Sequence, residues 1–151
     1  MAMAAPERWQ AIAAIAPAVL PENAGPRNTF GVLAQLQEAM AEDDSVLHRL
    51  RTNANAVRAS GLPIFLRVGD RDMFRMHDGT EQLHRALWDA DIGHEYHLVH
   101  GADHVGPEAL AAPRAAFAFV GAAQRRAAGT DRSDADRASE VEWRAWAESR
   151  H

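Results

Sequence analysis

Residues 62–74, LPIFLRVGDRDMF, carry the strongest structural signal in the chain. Residues 63–68 (PIFLRV) are apolar, rich in β-branched and aromatic side chains, and bounded by Gly61 and Gly69, a pattern that predicts a strand. The polar GDRD that follows is the loop leaving it. Downstream, Gly79 and Thr80 open a helical stretch, EQLHRALWDAD, with Leu83, Leu87 and Trp88 on one face and Gly93 as its stop. Residues 95–99 form the next strand, and residues 107–124 an Ala-rich helix carrying Leu110, Phe117, Phe119 and Val120. Strand, helix, strand, helix at this spacing predicts parallel β-α-β units and an α/β sheet.

Upstream, residues 11–16 (AIAAIA), closed by Pro17, are short and apolar enough for a buried strand. Val32, Leu33, Leu36 and Met40 fall at helical spacing. Asp44 or Ser45 is placed to cap a helix through Val46, Leu47 and Leu50, with residues 53–60 as a further helix ending at Gly61. From residue 127 the composition changes. GTDRSDADRASE reads as a linker, and VEWRAWAESRH, with Trp143 and Trp146, as a frayed surface helix rather than a dedicated oligomerisation element.

Bulk composition narrows the function classes. The 151 residues match one domain in length, and a net charge of -5, with arginine as the sole basic side chain besides histidine, gives no reason to expect a nucleic-acid partner. No apolar run nears the roughly 20 residues needed to span a bilayer, and the Ala-rich opening lacks the basic start of a signal peptide, so a cytoplasmic protein with no membrane partner is expected. The absence of cysteine removes disulfides, thiolate zinc sites and a cysteine nucleophile. GDRD lacks the spacing and the lysine of phosphate-binding loops, so no nucleotide cofactor is expected.

Half of the 8 histidines lie in residues 94–104, HEYHLVHGADH. On a strand over 95–99, His94 and His100 point to one face and His97 to the other, so they do not converge on a metal; nor is there an H-E-x-x-H. His97 and His100 read as polar strand-end residues, and His77 and His84 as solvent-facing. His104 differs, lying in the loop beyond the strand and directly before a helix. Asp72 occupies the loop leaving the preceding strand. Loops at the carboxyl ends of parallel strands are where α/β sheets place their chemistry, and a carboxylate on an imidazole fixes its tautomer and stabilises the imidazolium. By pattern alone, two solvated loop residues remain the simpler account of Asp72 and His104.

Three ordered segments, PERWQAIAAIAPAV, LPIFLRVGDRDMF and HEYHLVHGADHVGPEAL, resemble the C-terminal half of an α/β-hydrolase of the esterase group that includes esterase D and S-formylglutathione hydrolase. The resemblance runs from about residue 6 to residue 121. It implies a truncated α/β-hydrolase fold over residues 1–126, with residues 21–60 as the helical excursion between strands six and seven, followed by a linker and tail at 127–151. It implies Asp72 as triad acid, from G-x-x-D, and His104 as base, from G-x-x-H; Asp70 lies two residues too early.

The serine departs from the pattern. Such enzymes present it in G-x-S-x-G, whereas Ser45, Ser60, Ser133, Ser139 and Ser149 lie in DDSVL, RASGL, DRSDA, RASEV and AESRH. The resemblance places the nucleophile roughly ten residues before Met1, one elbow helix upstream, and both oxyanion donors go with it. The expectation is thus the acid-and-base half of a serine carboxylesterase, inactive alone and acting on a small ester when completed, with Met73, Phe74 or Trp88 lining the acyl site. The alternative is a non-catalytic interaction module or decayed remnant. Either way, the outer edge of strand 11–16 is unpaired and expected to self-associate or to pair with a separate N-terminal half.

Overall fold

The computed structural model describes residues 2–20 and 45–129, together with 141, 142, 145, 146, 148 and 149. The helical pattern at 31–40, Asp44, residues 130–140 of the linker and Trp143 lie outside the described residues. Two 3-10 turns, Ala2–Ala4 and Pro6–Arg8, lead into β1 (Ile12–Ile15). There follow α1 (Val46–Ser60), β2 (Ile64–Gly69), α2 (Met76–Asp89), β3 (Glu95–Val99) and α3 (Pro107–Ala127). The strands form a parallel sheet in the order β1-β2-β3, with Ile12 opposite Ile64 and Phe65 opposite Glu95. The chain is therefore α/β, and no helix among the described residues is long and apolar enough to cross a membrane.

β2 is central, and both of its faces are covered, so apolar residues run along it without alternation. Ile64 and Leu66 meet Leu83 and Leu87 of α2 and Leu47, Leu50 and Val57 of α1 in one core, closed by Met3 and Val19. On the other face Phe65 packs against Phe119 of α3, ring centroids 5.4 Å apart.

The helices meet their sequence reading in part, and each departure has a local reason. α1 is made of two helical segments joined by a kink at Asn53 (φ -112°, ψ 15°), as expected for helices on either side of that residue, and the Asn53 side-chain amide donates to the Arg49 carbonyl at 2.8 Å. Ser45 caps its start and Gly61, at φ 61°, ends it in the left-handed region. α2 begins at Met76 rather than Gly79, because Asp72 Oδ1 accepts from the amides of Phe74 and Met76 at 2.9 and 3.3 Å. Gly79 serves packing instead: a Cβ there would run into the Val19 carbonyl, where the segment after β1 crosses the helix. α3 buries Ala112, Ala116 and Ala123 and leaves Leu110 and Phe117 facing out.

Candidate functional site

The loops leaving β2 and β3 meet at the carboxyl edge of the sheet. The Asp70 amide donates to the Val99 carbonyl at 3.1 Å, and the Arg71 amide to the Ala102 carbonyl at 3.0 Å. This close lacing requires Gly69, since a Cβ there would strike the Ala102 carbonyl. The sequence shows a glycine at the strand end, but only the approach of the second loop reveals why it is needed.

Asp72 and His104, 32 residues apart, are brought together here. His104 Nδ1 donates to Asp72 Oδ2 at 2.8 Å. The Asp72 side chain is 0% exposed and His104 31%. A buried carboxylate is tolerable only when its oxygens are satisfied; Oδ2 takes the imidazole, and Oδ1 takes the Phe74 and Met76 amides. Because an ionised carboxylate is acceptor-only, Nδ1 carries the proton of this bond, and in the neutral ring Nε2 then keeps its lone pair, the form of a general base. Phe74 packs edge-on against the imidazole, centroids 4.8 Å apart at 88°. His104 lines a small cleft with Ile15 and Ala16 from the end of β1, Arg67 and Val68 from β2, and Glu108 from the start of α3. Arg67 and Glu108 are paired across it at 3.4 Å.

A second pair stands beside the first. Asp70 Oδ2 meets His100 Nδ1 at 2.8 Å while Oδ1 accepts from the Gly101 amide at 2.7 Å. The bond to His100 holds the Asp70 carboxyl below its ordinary pKa, opposed by some desolvation and reinforced by the Gly101 amide. His100 is 91% exposed, so this pair decorates the surface, whereas Asp72 lies sealed beneath its partner.

The remaining histidines divide by face. His97 packs on Phe65, centroids 5.0 Å apart, on the α3 side. His94 donates from Nδ1 to the Ile92 carbonyl at 2.8 Å, and its Nε2 lies 2.8 Å from His84 Nδ1 on α2. His84 also stacks on Tyr96, centroids 4.3 Å apart. His77 and His84 are thus half-buried, contrary to the solvated reading, with His84 covered by His94 and Tyr96. Burial, then His94, pushes the His84 pKa down; burial, then Glu81, pushes the Tyr96 hydroxyl up. Among the described residues, no three potential ligands group around a metal position.

Other expectations fall away from the cleft. Trp88 is exposed beside His84 near the start of β3, the opposite end of the sheet from Asp72, so it does not line an acyl site there. Met73 is exposed, and of the three apolar candidates Phe74 is the one in contact with His104. Ser45 Oγ caps α1 and Ser60 Oγ donates to the Val57 carbonyl at 2.7 Å; neither lines the cleft. Ser133 and Ser139 lie outside the described residues. The sequence reading missed Asp103, whose carboxylate links the two loops; an acidic residue before His104 was visible, its partner was not. No known protein family, curated protein or solved structure matches the chain.

Proposed function

We propose that this chain is the acid-and-base portion of a serine carboxylesterase-type hydrolase of the α/β-hydrolase class, with the nucleophile supplied by a segment outside it. The observation that carries this reading is the bond from His104 Nδ1 to the sealed carboxylate of Asp72. Its place at the carboxyl edge of a parallel sheet adds support. In this mechanism His104 Nε2 takes the proton of the serine hydroxyl as it attacks the ester carbonyl, then returns it to the departing alcohol. Asp72 keeps the ring in the Nδ1–H tautomer and stabilises the imidazolium without itself becoming protonated.

The end of β1 also supports the reading. Ile15 and Ala16 border the cleft, so a strand added in parallel to the side of β1 that is unpaired among the described residues would end beside His104. That is where an elbow serine has to stand.

Two experiments test the proposal. The purified chain should not react with a fluorophosphonate probe, and should hydrolyse p-nitrophenyl acetate no faster than free imidazole. Triad-like turnover abolished by His104→Ala would overturn the assignment of the nucleophile to another segment. Translating the DNA immediately upstream of the Met1 codon in frame should reveal G-x-S-x-G. A stop codon with no elbow there, and no separate segment that confers activity, would favour the non-catalytic module.

A further inference from the structure

Asp72 and His104 come from two loops, and a hydrogen bond of 2.8 Å between them survives only if those loops keep register to a few tenths of an ångström. Backbone bonds hold them as far as Arg71 and Ala102. Beyond that point no backbone bond joins the loops among the described residues, and the next tie is a side chain. Asp103 Oδ1 accepts from the Met73 amide at 2.7 Å and from the His104 amide at 2.6 Å. Met73 directly follows the acid, and Asp103 directly precedes the base, so one oxygen grips both loops next to the pair.

We infer that Asp103 is a positioning residue for the Asp72–His104 pair, acting through the Met73 and His104 amides rather than through its charge. This rests on the reading of Asp72 and His104 as acid and base. Asp103 makes no contact with the imidazole ring among its hydrogen bonds, both of which go to backbone amides. An amide oxygen can accept the same two bonds, so Asp103→Asn should preserve the geometry, while Asp103→Ala removes the acceptor.

The readout is the tautomer of His104, measured by 15N NMR of the imidazole in the purified full chain. The unmodified protein should show the Nδ1–H form. Asp103→Asn should retain it, and Asp103→Ala should shift the ring toward the Nε2–H form with the melting temperature little changed. Retention of the Nδ1–H form in Asp103→Ala would overturn the inference; equal loss in Asn and Ala variants would replace positioning with a charge effect. Should Asp103→Ala fail to fold, the unmodified protein still decides: the Met73 and His104 amides, both donating to Asp103 Oδ1, must both be protected from hydrogen exchange, and exchange of either at the rate of an unprotected amide would defeat the inference. Asp72→Asn separates this from the underlying reading. If that variant leaves the tautomer untouched, the acid–base pair itself is misassigned, whatever Asp103 does.

Discussion

The Asp72 carboxylate has no solvent around it and, among the described residues, is held there by three hydrogen bonds, from His104 and from the Phe74 and Met76 amides. Two of those bonds also start α2, so the residue that orients His104 is part of the fold. Asp72→Ala should therefore destabilise the chain by about 1–3 kcal/mol, the cost of stranding buried donors, measurable by urea denaturation. Gly69 is bound to the same place by sterics. Gly69→Ala forces the β3 loop away and should cost about 1–3 kcal/mol, with the Nδ1–H tautomer of His104 lost in the same variant. His84 gives a pH dependence at the opposite end of the sheet. Its folded pKa is lowered by burial, so the unfolded chain binds the proton more readily. The stability it contributes is fully present above the unfolded value of about 6.5 and is lost as pH falls toward the lowered folded value. The melting temperature should drop on going from neutral to mildly acidic buffer, and His84→Gln should make that drop smaller.

At the scale of elements, α3 shows how residue size misleads. Two of its large apolar side chains, Leu110 and Phe117, are 83% and 78% exposed, while small Ala112 and Ala116 are buried and Phe119 packs on Phe65. Small side chains let the helix backbone lie close to the sheet, where β1 and β2 offer their α3-side surface. Ala112→Leu should overpack this contact and cost about 1–3 kcal/mol. Phe117→Ser should change stability by no more than about 0.5 kcal/mol in the same denaturation experiment. The strands Ile64–Gly69 and Glu95–Val99 were legible, the first to within one residue, because glycine brackets and β-rich composition coincide. The start of α2 was not, because its first turn is organised by Asp72, four residues before Met76, and Gly79 is dictated by the crossing of Val19.

For the whole molecule, the consequential feature is the free side of β1. Among the described residues β1 pairs only with β2. The Ile12 and Ala16 amides bond to Pro63 and Arg67, so by the alternation of a parallel ladder the amides of Ala13 and Ile15 point to the open edge. Ile15 is exposed at the end of the strand. Open apolar edges recruit strands, and the purified chain is expected to elute from sizing chromatography above the monomer position. Ala13→Pro removes an outward donor without touching the β2 ladder, and should shift elution toward the monomer with the far-UV spectrum retained. A monodisperse monomer in the unmodified protein would remove the case for this edge as an association surface.

The sequence by itself determined the α/β class, the three strands, and the identity of an aspartate and a histidine in the two loops at one end of the sheet. These are local properties: strand periodicity, glycine brackets and chain order act over a few residues each. Tertiary structure decided that Asp72 and His104 touch while Asp70 takes His100, that Gly69 and Gly79 are needed for close backbone approach, and that Ala112, Ala116 and Phe119 rather than Leu110 and Phe117 face the sheet from α3. Each of those depends on the distance between segments far apart in the chain. That distance is set by packing, and no short stretch of sequence contains it.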